Sequence, residues 1–118
     1  MAKILIADDE TELLELIRFS LDAAGYQITT AKNGQEALEF ARKADFDLIV
    51  LDIMMPILDG YHVASEISQN PDSPPILLLT SRDFDQDQAA IKGSGADAFL
   101  SKPFEVTELL QVVKDLLK

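Results

Sequence analysis

Five strand-length apolar runs alternate with five stretches of helical period, and no other feature constrains the fold of this chain as much. Lys3–Ala7 (KILIA), Gln27–Ala31 (QITTA), Leu48–Leu51 (LIVL), Ile76–Thr80 (ILLLT) and Ala98–Ser101 (AFLS) have strand length and composition. Between the first two, Leu13, Leu14, Ile17, Leu21 and Ala24 recur at helical spacing, and Gly25 follows as a stop. Ala37, Leu38 and Ala41 do the same after Asn33-Gly34, and Val63, Ala64 and Ile67 before Asn70-Pro71. A fourth helical segment, about Asp85 to Lys92, has only Ala89, Ala90 and Ile91 to bury. The fifth, Val106 to Leu117, is strongly amphipathic through Val106, Leu109, Leu110, Val113, Leu116 and Leu117.

Strands that alternate with helices over short connections predict a mostly parallel sheet covered on both faces, with right-handed crossovers. Leu48–Leu51 and Ile76–Leu79 are unbroken apolar runs, as central strands buried on both sides must be. QITTA is half polar and suits an edge. The expectation is an α/β fold, a flavodoxin-like doubly wound (βα)5 with strand order 2-1-3-4-5. With 118 residues and no linker, repeat or low-complexity tract, residues 1–118 read as one domain.

Composition narrows the function. Twenty-one acids against ten bases give a formal charge of −11, which repels phosphate backbones and anionic membranes, so neither nucleic acid nor membrane is an expected direct partner. The absence of cysteine removes disulfides, thiolate metal sites and thiol nucleophiles. The opening MAKILIADD is too short in its apolar part for a secretory signal, and no run reaches the length of a membrane span. These features together read as a soluble, cytoplasmic protein.

Ligands of open parallel sheets bind outside the carboxyl ends of the strands. There the chain carries Asp8-Asp9-Glu10 after strand one, Asp52 after strand three, Thr80-Ser81 after strand four and Ser101-Lys102-Pro103 after strand five. A lone acid before a helix is most often a cap, and Asp9 with Glu12 could form a capping box. Two adjacent acids facing a third shift the reading toward a site. At ~4 Å and an effective dielectric near 20, a carboxylate pair repels by roughly 4 kcal/mol, which protons, Lys102 or a metal must relieve. Oxygen ligands without His or Cys suit Mg²⁺ before Zn²⁺. Asp52 is then a metal ligand, a general base or a nucleophile able to take a phosphoryl group. Lys102 offers a cation to the charge that develops, and Thr80 a hydroxyl.

At these residues the sequence closely resembles the receiver domain of two-component response regulators. The matching motifs are Asp8-Asp9, Asp52-x-x-Met55-Pro56-x-x-Asp59-Gly60, Thr80, Gly95-Ala96-Asp97 and Lys102-Pro103-Phe104, in order and across essentially the whole chain. The resemblance implies that Asp52 is the phosphoacceptor and that Mg²⁺ is the cofactor. Asp9 would ligate the metal directly, Asp8 through water, and Met54 through its backbone carbonyl. Lys102 would pair with the phosphoryl group and Thr80 would turn its hydroxyl toward it. Phe99 holds the aromatic switch position, and movement of Thr80 would open the space that Phe99 fills. Lys102-Pro103 is implied to be cis. The implied phosphodonor is a sensor histidine kinase or phosphotransfer protein docking near the first helix. A homodimer or output partner would use the face of the fourth helical segment, the fifth strand and the fifth helix.

Several positions depart from the commonest pattern or stay outside the site. Phe99 stands where Tyr is frequent, so a switch here acts by packing. Ser81 either donates to the phosphoryl group or ends the strand. Asp59-Gly60 reads as the turn into the third helix, His62 as solvent-facing, and Tyr26 and Tyr61 as packing. An aspartyl-phosphate hydrolase of the haloacid-dehalogenase type needs an acid two residues after its nucleophile, where this chain has Met54. A flavodoxin needs a hydroxyl- and glycine-rich loop where this chain has Asp8-Asp9-Glu10. A degenerate receiver serving only as a binding module is opposed by all five key positions being filled. The chain reads equally as a complete single-domain regulator or as the receiver of a longer protein.

Overall fold

The structure is a computed structural model that describes residues 2–55, 57–81 and 93–117. In chain order the described elements are β1 (Lys3–Ala7), α1 (Thr11–Ala23), β2 (Gln27–Ala31), α2 (Gly34–Lys43), β3 (Leu48–Asp52), α3 (Gly60–Ser68), β4 (Ile76–Ser81), β5 (Ala98–Lys102) and α4 (Val106–Leu116). The helix expected over about 85–92 lies outside the described residues, as does the side chain of Ser81.

Every strand pairs in parallel, in the order β2-β1-β3-β4-β5. The alternation of side chains then divides the core in two. Leu5, Ala7, Ile49, Leu51, Ile76 and Leu78 face α2 and α3 and pack on Ala37, Leu38, Val63, Ala64 and Ile67. Ile4, Ile6, Leu48, Val50, Leu77 and Leu79 face the other way, onto Leu14, Ile17 and Leu21 of α1 and Leu109 and Val113 of α4. Strand β3, central and covered on both sides, is buried from end to end. Strand β2 is half-buried at the sheet edge, as its threonines foretell. This is the doubly wound, flavodoxin-like (βα) architecture expected from the alternation.

The ends of the helices follow their local chemistry. Asn33 caps α2 by accepting from the Glu36 amide at 2.8 Å, and Asp59 caps α3 by accepting from the His62 amide at 2.8 Å. Gly25, at φ +98°, ends α1 in the left-handed region where a side chain would be strained. At α4, Glu108 reaches back to the Glu105 amide at 3.0 Å. The capping box considered for Asp9 and Glu12 does not form. Helix α1 starts one residue later, with Glu10 at the cap position and no side-chain cap bond, so Asp9 lies outside the first turn.

Candidate functional site

The carboxyl ends of β1, β3 and β5 meet because the register aligns them. Asp8 continues the row of Ile4 and Ile6, Asp52 that of Leu48 and Val50, and Lys102 that of Ala98 and Leu100. All three side chains therefore belong to the α1 and α4 face, at one edge. Carboxylate oxygens of Asp8, Asp9 and Asp52 lie within 4.8 Å of one another. Lys102 Nζ donates to Asp8 Oδ2 at 3.2 Å and stands 3.3 Å from Asp52 Oδ2 and 4.0 Å from Glu10 Oε2. Backbone amides take the remaining oxygens: Asp8 Oδ1 accepts from the Glu10 amide at 2.9 Å, and Asp52 Oδ1 from the Met54 amide at 3.3 Å. Asp8 and Asp52 are buried, while Asp9 is exposed at the mouth of an open cleft of about 530 Å³.

This crowding is visible in the acid–base chemistry. Burial, and then the charge of Asp8, push the Asp52 carboxyl from an ordinary 3.8 up to about 6, against the opposing pull of Lys102. Burial disfavours the Lys102 ammonium too, but attraction and hydrogen bonds from Asp52 and Asp8 outweigh it and hold Lys102 above its usual range. The two directions are compatible because one ammonium is shared by two buried carboxylates and can neutralise only one. Three carboxylates against one ammonium leave two negative charges uncompensated, all on oxygen. That donor set fits a hard divalent cation, and Asp8, Asp9 and Asp52 are the side chains able to hold it.

The loop that carries Met54 is fitted closely to the site. Gly60 packs so tightly on β3 that a side-chain Cβ there would stand 2.5 Å from the Asp52 carbonyl oxygen, and Gly34 at the start of α2 presses on the Leu58 backbone. Asp59, read as architectural, caps α3, and the exposed His62 ring stands 3.2 Å from it. Lys102-Pro103 is cis.

Thr80 and Phe99 are brought to the same sheet edge but to its other face. Strand alternation places Thr80 with Ile76 and Leu78, whereas Asp52 pairs in register with Leu79. Thr80 is buried, and its hydroxyl donates to Ser101 Oγ across the β4–β5 ladder at a long 3.4 Å. Phe99 pairs in register with Leu78 and is 40% exposed at the sheet edge. Met54 offers its side chain to solvent. Sequence reasoning had given no role to Ser101 or Glu10. Their positions at strand ends were the available signal, and the contacts to Thr80 and Lys102 needed the folded register.

Comparison with known proteins agrees with this geometry. The family model described as the response regulator receiver domain matches residues 4–114. The chain is 40% identical over 116 residues to the alkaline phosphatase synthesis transcriptional regulatory protein PhoP of Bacillus subtilis, covering 98% of this chain and 48% of that protein. It thus spans about half the length of the curated relatives it matches. Among solved structures, the chemotaxis response regulator CheY4 of Vibrio cholerae superposes with a TM-score of 0.92 at 34% identity, covering 99% of each chain. The response regulator TrrA of Thermotoga maritima, in complex with Mg²⁺ and BeF, superposes with a TM-score of 0.89 at 39% identity, covering 99% of this chain and 100% of that one.

Proposed function

Since the chain belongs to the response regulator receiver domain family of two-component systems, we propose that it is a phosphorylation-controlled switch in which Asp52 accepts a phosphoryl group in a Mg²⁺-dependent reaction. The observation that carries this reading is the meeting of Asp8, Asp9 and Asp52 within 4.8 Å, with Lys102 3.3 Å from Asp52. The donor in this reading is a phosphohistidine of a sensor kinase or phosphotransfer protein, and residues 1–118 act as one cytoplasmic receiver domain. Among the described residues no helix is long and apolar enough to cross a membrane.

Asp8, Asp9, Asp52 and the Met54 carbonyl would hold Mg²⁺, which when bound draws charge off the phosphoryl oxygens and orients the donor. An Asp52 carboxylate oxygen attacks phosphorus. As the new O–P bond forms, the P–N bond to the donor histidine breaks and its electron pair leaves on the imidazole nitrogen. Lys102, already within 3.3 Å of Asp52 Oδ2, donates to the charge gathering on the transferred group. Burial at the end of β3 keeps Asp52 rigid, and the Met54 amide fixes its other oxygen.

In the switch, the Thr80 hydroxyl exchanges its long 3.4 Å bond to Ser101 for a charge-assisted bond to a phosphoryl oxygen. Phe99, half in solvent, then turns into the space released. Moving the two states from 1:99 to 99:1 takes about 5.5 kcal/mol of differential binding, within reach of contacts from Lys102, Thr80 and the metal. A homodimer or an output partner would read the change on the face of β5, α4 and the segment before β5.

Incubation with acetyl phosphate and Mg²⁺ should add the mass of one phosphoryl group, absent without metal and absent in Asp52→Ala. Uptake by Asp52→Ala would remove Asp52 as acceptor. Mg²⁺ should also raise Tm, and Asp9→Ala should abolish the rise.

A further inference from the structure

Lys102 has a third acidic neighbour that the chemistry above leaves unused. Glu10 Oε2 lies 4.0 Å from Lys102 Nζ, outside Asp8 at 3.2 Å and Asp52 at 3.3 Å. Glu10 occupies the cap position of α1, where a side-chain oxygen ordinarily satisfies helix amides. Asn33 and Asp59 do this at α2 and α3; Glu10 makes no such bond and lies beside Lys102 instead. Its own amide is fixed by Asp8 Oδ1 at 2.9 Å, which sets where the side chain starts. Glu10 and Lys102 also line two cavities at once: the acid cleft, and an apolar groove of about 380 Å³ walled by Leu13, Leu16, Phe104 and Leu109 between α1 and α4. The pair forms the partition between them.

We infer that Glu10 is a positioning residue that acts through Lys102, offsetting part of the ammonium charge at the cleft wall and so weakening its pull on an incoming phosphodonor. The inference rests on phosphorylation of Asp52. Glu10 makes and breaks no bond in the transfer; it sets how much of the Lys102 charge the donor feels. Because the Glu10 side chain is 64% exposed, water and salt screen it, and its removal raises the rate by about two- to fivefold. The gain grows with donor charge. Acetyl phosphate is a dianion at pH 7 and phosphoramidate a monoanion, so acetyl phosphate gains more.

The test is phosphoryl uptake by the full chain with Mg²⁺, followed by mass with both donors in low and high salt. Wild type, Glu10→Gln, Lys102→Ala and the double variant are compared, with Tm measured with and without Mg²⁺. Glu10→Gln should be faster with acetyl phosphate, less so with phosphoramidate, and the difference should shrink in high salt. In the Lys102→Ala background the Glu10→Gln gain should vanish. Equal rates, an equal gain with both donors, or a gain that survives in Lys102→Ala each overturn the inference alone. A Mg²⁺-induced Tm rise lost in Glu10→Gln would make Glu10 a metal ligand, which also overturns it. Absence of uptake by wild type with either donor would remove the phosphoacceptor reading itself, and this inference with it.

Discussion

The two faces of the sheet differ sharply at the edge where they share a boundary. On the α1 and α4 face, Asp8 and Asp52 are buried, share one ammonium at 3.2 and 3.3 Å, and have backbone amides on their other oxygens. On the α2 and α3 face, Thr80 holds Ser101 at 3.4 Å and Phe99 stands 40% in solvent. The first arrangement is tightly constrained, since one ammonium holds two buried carboxylates that repel each other, and moving it leaves both without a cation. The second carries neutral groups, among them a long hydroxyl–hydroxyl bond and an aromatic ring partly in solvent. The proposed switch assigns chemistry that demands geometry to the first, rigid face and motion to the second, looser one.

The strongest way to break this contrast is at Lys102. Lys102→Ala should cut the rate of phosphoryl uptake by roughly 10²-fold or more, the scale of losing a charge-stabilising donor. It should also lower the Tm of the metal-free protein, and Mg²⁺ should recover most of that loss by replacing the missing positive charge. A metal-free Tm unchanged by the substitution would mean that the buried carboxylates need no ammonium, and the rigid face would lose its explanation.

The pH dependence of stability sharpens the same side. The folded protein holds a proton on Asp52 up to about pH 6, whereas the unfolded chain releases it near 3.8. A carboxyl raised on folding stabilises the protein fully at low pH, and that contribution fades as pH climbs through about 6. In EDTA, Tm should therefore fall across that window by on the order of 5 °C, measured by scanning calorimetry. Asp52→Asn should flatten this part of the curve, and Mg²⁺ should oppose the fall, because the ion binds the deprotonated cluster. A metal-free curve that rises through the window would contradict the burial and crowding at Asp52.

How much of this was legible in the sequence follows the same division. Strand runs such as LIVL and ILLLT carry their own periodicity, so the sheet order and the edge position of QITTA could be read locally. Asp8, Asp9, Asp52 and Lys102 could be gathered because a parallel sheet forces strand ends to one edge. The capping box at Asp9 and Glu12 was a local pattern that lost to a helix start one residue later, where Asp8 takes the Glu10 amide. Gly60 and Gly34 looked like ordinary turn residues, while their closest constraints are the Asp52 carbonyl and the Leu58 backbone, contacts that only the folded chain makes. The Thr80–Ser101 bond depends on register between β4 and β5, which no local pattern encodes.

The loose face predicts smaller effects. Thr80→Val removes the hydroxyl with its long bond to Ser101 and keeps the shape, so it should lower stability by on the order of 1 kcal/mol in urea denaturation. Uptake of the phosphoryl group should survive, while the response of Phe99, followed by NMR of fluorinated phenylalanine, should be lost. A Thr80→Val protein in which Phe99 still responds would uncouple the two residues. Phe99→Ala in the unphosphorylated protein should also be mild. A ring already 40% exposed leaves part of its transfer energy unrealised, so the substitution should cost well below the ~3–5 kcal/mol of a core phenylalanine. The same substitution should cost more once Asp52 is phosphorylated, because the ring is then packed inward. Equal cost in both states would show that Phe99 does not move, and the motion assigned to this face would have to lie elsewhere.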